Sequence, residues 1–177
     1  ETGRTLFGDN CAACHGTEGT GGPGFPNIAE APLMWGEGLD TLHETIRVGI
    51  NSTHPETRFA QMLAFGRDGM LPRGDIVALT GYVLSLSDPG TVEPDPAVEE
   101  TFAFNCASCH GDDARGITDF GAPNLTDQHW IYGGSRDAVF ASIFSGRAGH
   151  MPHWEGRLPQ TDIRILTLYV QDLRNAP

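Results

Sequence analysis

An all-α fold in two tandem small domains is what this 177-residue sequence predicts, and three observations predict it. The chain repeats itself, with FGDNCAACH from Phe7 to His15 and FAFNCASCH from Phe102 to His110. Each half ends on a run of helical periodicity, Ile76, Leu79, Val83 and Leu86 in the first and Ile163, Leu166, Val170 and Leu173 in the second. That spacing puts one apolar stripe on each helix. Between the halves, DPGTVEPDPAVEE at 88–100 carries three prolines, one glycine and five acids in place of any periodic pattern. The domains are therefore expected at 1–88 and 101–177, with 89–100 as an acidic, proline-containing linker.

The elements follow in the same order in both halves. After the repeated cysteine strings come FPNIAEAPLMWG at 25–36 and APNLTDQHWIYG at 122–133, aligned without a gap so that Pro26 meets Pro123, Asn27 meets Asn124 and Gly36 meets Gly133. A short helical pattern succeeds each loop, with Leu42 and Ile46 matching Val139 and Ile143. Asp40 and Ser135 are the expected helix starts, since their side chains can accept from free N–H groups of a first turn. Glycine-rich and proline-rich loops fill the remainder, and β structure is expected to be negligible.

Two small domains in 177 residues have marginal cores and need a staple. All four cysteines lie in the strings CAACH (11–15) and CASCH (106–110), so none remains for a disulfide framework. Zinc competes for two Cys-x-x-Cys pairs, but a zinc site does not require a histidine directly after each second cysteine. Covalent haem does: two thiols take the two vinyl groups and the adjacent imidazole meets the iron. Cys11, Cys14 and His15 are the expected first attachment site, and Cys106, Cys109 and His110 the second. The implied cofactors are two covalently bound haem c groups.

The formal charge is −12 and every basic residue is arginine, which makes nucleic acid a poor partner. The acidic surface either steers a basic redox partner, with an on-rate that falls as salt rises, or serves solubility alone. Residues 1–88 hold 5 arginines against 11 acids and residues 101–177 hold 6 against 8, so a basic donor is expected on the first domain. No run of about 18 apolar residues is present. The opening Glu1 leads to the expectation of a processed or truncated product that has lost an export or anchor segment. Thioether-bound haem points to an exported compartment such as the bacterial periplasm. Nothing in the spacing argues for a nucleophile with a partnered base, so no catalytic residue is expected.

The CxxCH strings with PNI and PNL loops resemble class I cytochromes c, which implies two tandem class I cytochrome c domains. The resemblance implies that His15 and His110 are proximal iron ligands whose other ring nitrogen donates to the carbonyls of Pro26 and Pro123. It also implies a thioether as the sixth ligand, on a loop before the last helix. The second domain offers Met151, in HMPHW. The first offers Met34, Met62 and Met70. Aligning MLAFG with MPHWEG sets Met62 opposite Met151, leaving Met70 in a two-residue insertion as the alternative ligand and Met34 as core. His150 is a rival to Met151, whereas His43, His54, His129 and His153 are expected at the surface or haem pocket. Trp35, Trp130 and Tyr132 flank the same loop in each half, where Trp35 and Tyr132 are candidate donors to a haem propionate. Arg58 and Arg147 are weaker candidates for that contact.

Beyond the motifs, GAPNLTDQHWIYGG at 121–134, IFSGRAGHMPHW at 143–154, YVLSLS at 82–87, and WGEG and IRVGIN in the first half resemble the dihaem subunits (subunit III, the P subunit) of cbb3-type cytochrome c oxidases. Where that family commonly has Met-Pro-Ala-Phe-Gly, this sequence has MLAFG, so Leu63 departs from the pattern. The resemblance implies a relay of single electrons from a periplasmic donor cytochrome or the bc1 complex towards the catalytic subunit of the oxidase. It also implies an N-terminal membrane anchor in the full-length protein, partnership with the other oxidase subunits, and no oxygen chemistry in this chain. Two rivals remain: a free-standing dihaem carrier of the cytochrome c4 type, and an enzyme or sensor such as a dihaem peroxidase with one open iron.

Overall fold

The computed structural model describes residues 2–88, 90 and 95–175. Its helices are α1 (Thr2–Asn10), α2 (Ala12–His15), α3 (Leu39–Val48), α4 (Arg73–Ser87), α5 (Pro96–Asn105), α6 (Ala107–His110), α7 (Arg136–Ser145) and α8 (Gln160–Asn175), with a 3₁₀ turn at Thr118–Phe120. Only isolated β-bridges occur among the described residues. No described helix is long and apolar enough to cross a membrane.

Two compact units form, and their boundaries differ from those of the repeat. The first is Glu1–Phe59 with Gly149–Pro177; the second is Ala60–Ala148. In the first unit α8 packs on α1 and α3, and in the second α4 packs on α5 and α7. The helix that closes each core thus comes from the other half of the repeat. The aromatic pairs follow the same exchange: Phe7 of α1 meets Tyr169 of α8 with centroids 5.3 Å apart, and Phe102 of α5 meets Tyr82 of α4 at 5.4 Å. The expected boundaries at 88 and 101 describe the repeat in sequence, whereas the packing boundaries fall at 59/60 and 148/149.

Physical reasons for the exchange lie in the stripes and the connections. Ile163, Leu166 and Val170 of α8 are buried with Phe7, Leu42 and Ile46, while Ile76, Leu79 and Val83 of α4 are buried with Phe102, Val139 and Ile143. Even the buried hydroxyls correspond, with Thr80 and Thr167 each donating to the carbonyl four residues back, at 2.7 and 2.8 Å. Two closing helices this alike fit either core. Only eight residues separate Ser87 from Pro96, and so short a connection favours packing of α4 against α5. The 24 residues from Gly49 to Pro72 leave α4 free to reach the other core.

Two local expectations shift. Helix α5 starts at Pro96 with Asp95 accepting from the Ala97 N–H, so the last five residues of the expected 89–100 linker are helical; positions 89 and 91–94 lie outside the described residues. Pro at the first helical position loses no hydrogen bond, and this overrides the coil signal of a Pro-rich string. Ser135 caps α7 as expected, by accepting from Ala138 N. Asp40, however, is the second residue of α3, whose cap is Gly38 at φ 101°.

Candidate cofactor sites

Each CxxCH string is a single helical turn entered through a kink. Cys11 and Cys106 take nearly identical dihedrals, φ −119° with ψ −35° and −36°. The amides of His15 and His110 donate to the carbonyls of Cys11 and Cys106 at 2.9 Å. Positions i, i+3 and i+4 lie on one side of such a turn, so both sulfurs and the imidazole share a face. Burial, then the neighbouring thiol of Cys14 or Cys109, pushes the Cys11 and Cys106 thiols up to about 11. No group of three or more His, Cys, Asp or Glu able to hold a bare ion converges among the described residues.

The imidazoles are fixed from behind. His15 Nδ1 lies 3.1 Å from the Pro26 carbonyl and His110 Nδ1 3.0 Å from that of Pro123. A carbonyl only accepts, so Nδ1 carries the proton and Nε2 keeps its lone pair. Burial lowers both histidine pKa values against the opposing pull of those carbonyls. A neutral ring with Nε2 free is the form that binds iron. The loops press close because Gly21 and Gly116, at φ 75° and 82°, have no Cβ to meet the backbone of the proline loops.

The methionines are regrouped by the exchange. Met151 packs on the core that contains Cys11, Phe7 and Leu42; Met62 packs on the core that contains Cys106, Phe102 and Val139. Their backbones are pinned by equivalent bridges, Met151 with Ile50 and Met62 with Arg147. Met151 thus shares a core cluster with Cys11, and Met62 shares the other with Cys106, whereas chain order set Met62 in the first half and Met151 in the second. Met70 belongs to the second unit and is 49% exposed; His150 is exposed, and Met34 is half-buried outside the core cluster.

A haem fits what surrounds the first turn. Trp35 Nε1 and Arg58 Nε are buried with no hydrogen-bond partner among the described residues, and the Arg58 guanidinium lies 5.0 Å from the Trp35 ring centroid. Two buried donors without acceptors are costly unless an acceptor from outside the chain reaches them, and haem carboxylates are such acceptors. Desolvation lowers the Arg58 pKa from its ordinary value. The second unit has the matching pair, Arg147 4.1 Å over Tyr132, but here Arg147 Nε is already engaged with Ser142 Oγ at 3.0 Å. Trp130 packs against the core beside Cys106, and His129 is exposed.

Sequence reasoning passed over one polar cluster. Arg47 binds Glu44, Glu56 and Glu155 at 2.7–2.8 Å, and His54 Nε2 lies 2.8 Å from the same Glu155. In the linear sequence the 108-residue gap between Arg47 and Glu155 hides the pair.

The comparisons with known proteins follow the repeat in the sequence. The family described as cytochrome c oxidase, cbb3-type, subunit III matches residues 94–170, and the cytochrome c family matches residues 1–87. The chain is similar to the cbb3-type cytochrome c oxidase subunit FixP of Bradyrhizobium sp. strain ORS 278, at 47% identity over 97% of the chain and 60% of that protein. It is 41% identical to the CcoP subunits of Cereibacter sphaeroides and Azospirillum sp. strain B510, again over 97% of the chain and 60% and 61% of theirs. The chain thus spans about 60% of the length of the curated relatives it matches. Its all-α architecture of two cytochrome c domains implies covalently bound haem c. With two complete CxxCH turns and this similarity along 97% of its length, the chain belongs to the family of cbb3-type cytochrome c oxidase subunits FixP and CcoP.

Proposed function

We propose that this chain carries two haems c and relays single electrons from a periplasmic donor, a cytochrome c or the bc1 complex, towards the catalytic subunit of a cbb3-type terminal oxidase. Cys11 and Cys14 would hold one haem, with His15 and Met151 as iron ligands; Cys106 and Cys109 would hold the other, with His110 and Met62. Each haem, when bound, supplies a one-electron ferric/ferrous couple. The chain's own residues set the conditions for that couple. His15 and His110 keep Nε2 free by donating Nδ1–H to Pro26 and Pro123, and Trp35 and Arg58 offer donors to the carboxylates. Met151 and Met62 each pack, partly buried, against an apolar core.

One observation carries the reading: each compact unit contains one CxxCH turn, one histidine–proline bond and one methionine on the shared core. The relatives are named as oxidase subunits, which supports other subunits of such an oxidase as partners here. The full-length protein is read as periplasmic, anchored in the bacterial inner membrane by a segment outside this chain. Pyridine haemochrome quantification tests the cofactor count, with two haems per chain expected. Both irons should show the near-infrared methionine-to-iron band and ignore carbon monoxide. A chain with one haem, or with an iron that binds carbon monoxide at once, would sink the relay reading in favour of an enzyme or sensor.

A further inference from the structure

The two methionine loops hang on the same backbone ladder. In the first unit Met151 N and O pair with Ile50, Trp154 N donates to Ile46 O at 3.2 Å, and Glu155 N donates to Arg47 O at 3.1 Å. In the second, Met62 N and O pair with Arg147, Phe65 N donates to Ile143 O at 3.2 Å, and Gly66 N donates to Phe144 O at 3.1 Å. The ladder makes Arg47 the counterpart of Phe144, and Glu155 the counterpart of Gly66.

Side chains on the last rung differ completely. The Phe144 ring lies against Gly66 so closely that a Cβ there would collide with it, and Phe144 stacks on Phe140 with centroids 5.6 Å apart. This clasp is apolar. Glu155 instead accepts at Oε2 from Arg47 Nη1 at 2.7 Å and from His54 Nε2 at 2.8 Å. The His54 ring is oriented from its far side, where Nδ1 accepts from the Glu56 N–H at 3.0 Å and so leaves Nε2–H to donate. The His54 side chain is 9% exposed and Arg47, shared by three carboxylates, 20%. An isolated surface ion pair contributes little, but a half-buried network with a bidentate arginine grip is held more firmly.

We infer that Glu155 is a positioning residue for Met151: through Arg47 and His54 it clasps the Met151 loop to the end of α3, and the first redox centre depends on that clasp for its methionine ligand. The second centre has no such dependence, because Phe144 on Gly66 does the same work without charge. This rests on the reading that Met151 faces the haem attached at Cys11.

The test uses the full dihaem chain. In Glu155→Ala, about half of the near-infrared methionine-to-iron absorbance should be lost, one of the two midpoint potentials should fall, and one haem should become open to carbon monoxide. Glu155→Gln, whose amide oxygen still accepts from Arg47 and His54, should restore most of the band. If Glu155→Ala does not accumulate as folded protein, Arg47→Lys, which keeps the charge but loses the grip on three carboxylates, is read by the same band and should lose part of it. A wild-type band that survives both Glu155→Ala and Arg47→Lys in full, with both potentials unmoved and only thermal stability lowered, overturns the inference. A wild-type first centre without the band overturns the ligand assignment along with it.

Discussion

The two units contain the same parts in different chain order. The second is a continuous stretch, 60–148, that begins with its closing helix α4 and ends near α7; the first is assembled from both ends of the chain and closes with α8. Yet each encloses a phenylalanine–tyrosine pair, an isoleucine–leucine–valine stripe and one methionine bridge of matching geometry. The difference teaches that a core of this kind is specified by the pattern of side chains presented to it and not by the order in which the chain delivers them.

The strongest attempt to break the comparison swaps ligands. In a chain that keeps only the first haem, through Cys106→Ala and Cys109→Ala, Met151→Ala should abolish the methionine-to-iron band and Met62→Ala should leave it intact. The opposite result would return the ligands to chain order. Next in size, Leu166→Ala and Leu79→Ala, each removing a side chain no more than 1% exposed, should each cost about 2–5 kcal/mol. Hydrogen exchange should locate the loss: Leu166→Ala should loosen the amides of α1, and Leu79→Ala those of α5. Protection lost in α5 on Leu166→Ala would contradict the exchanged packing.

Smaller effects sharpen the contrast. Trp35→Phe removes the buried donor that we propose meets a haem carboxylate, a contact worth about 0.5–1.5 kcal/mol, and should shift one midpoint potential only, whereas Tyr132→Phe at an exposed ring should shift neither appreciably. Smallest of all is a response to acid. Glu44 is held below the usual carboxylate range by Arg47, and Glu155 by His54 and then Arg47. Groups that bind protons less readily when folded contribute stability above their unfolded pKa, and that contribution is lost as pH falls through the depressed folded value. Melting curves taken from pH 6 downwards should therefore show the first unit weakening before the second, and Glu155→Gln should narrow the gap.

Much of this was legible in the residues themselves. The resemblance of the CxxCH strings and the PNI and PNL loops to class I cytochromes c implied the histidine-to-proline hydrogen bonds, which the structure has at 3.1 and 3.0 Å although the partners are 11 residues apart in one half and 13 in the other. The stripe on α8 was equally plain. Its partner was not, since Ile76, Leu79 and Val83 offer α1 the same surface as Ile163, Leu166 and Val170, and a sequence symmetric under exchange cannot say which helix goes where. The Arg47–Glu155 pair stayed hidden for the same reason: it exists only once α8 and the loop before it return to the first unit. Asp40 misled as a helix start because α3 already opens at Leu39, after Gly38, which leaves Asp40 inside the first turn.

The exchange of closing helices also orders events during synthesis. Along the chain the first CxxCH motif is followed by α3 to α7 before the helix that covers its core, α8, is made. The later motif has its covering helix already made before Cys106 emerges. The core beside Cys11 therefore stays without its closing helix until α8 has been made, whereas the core beside Cys106 can close once α7 has followed α5.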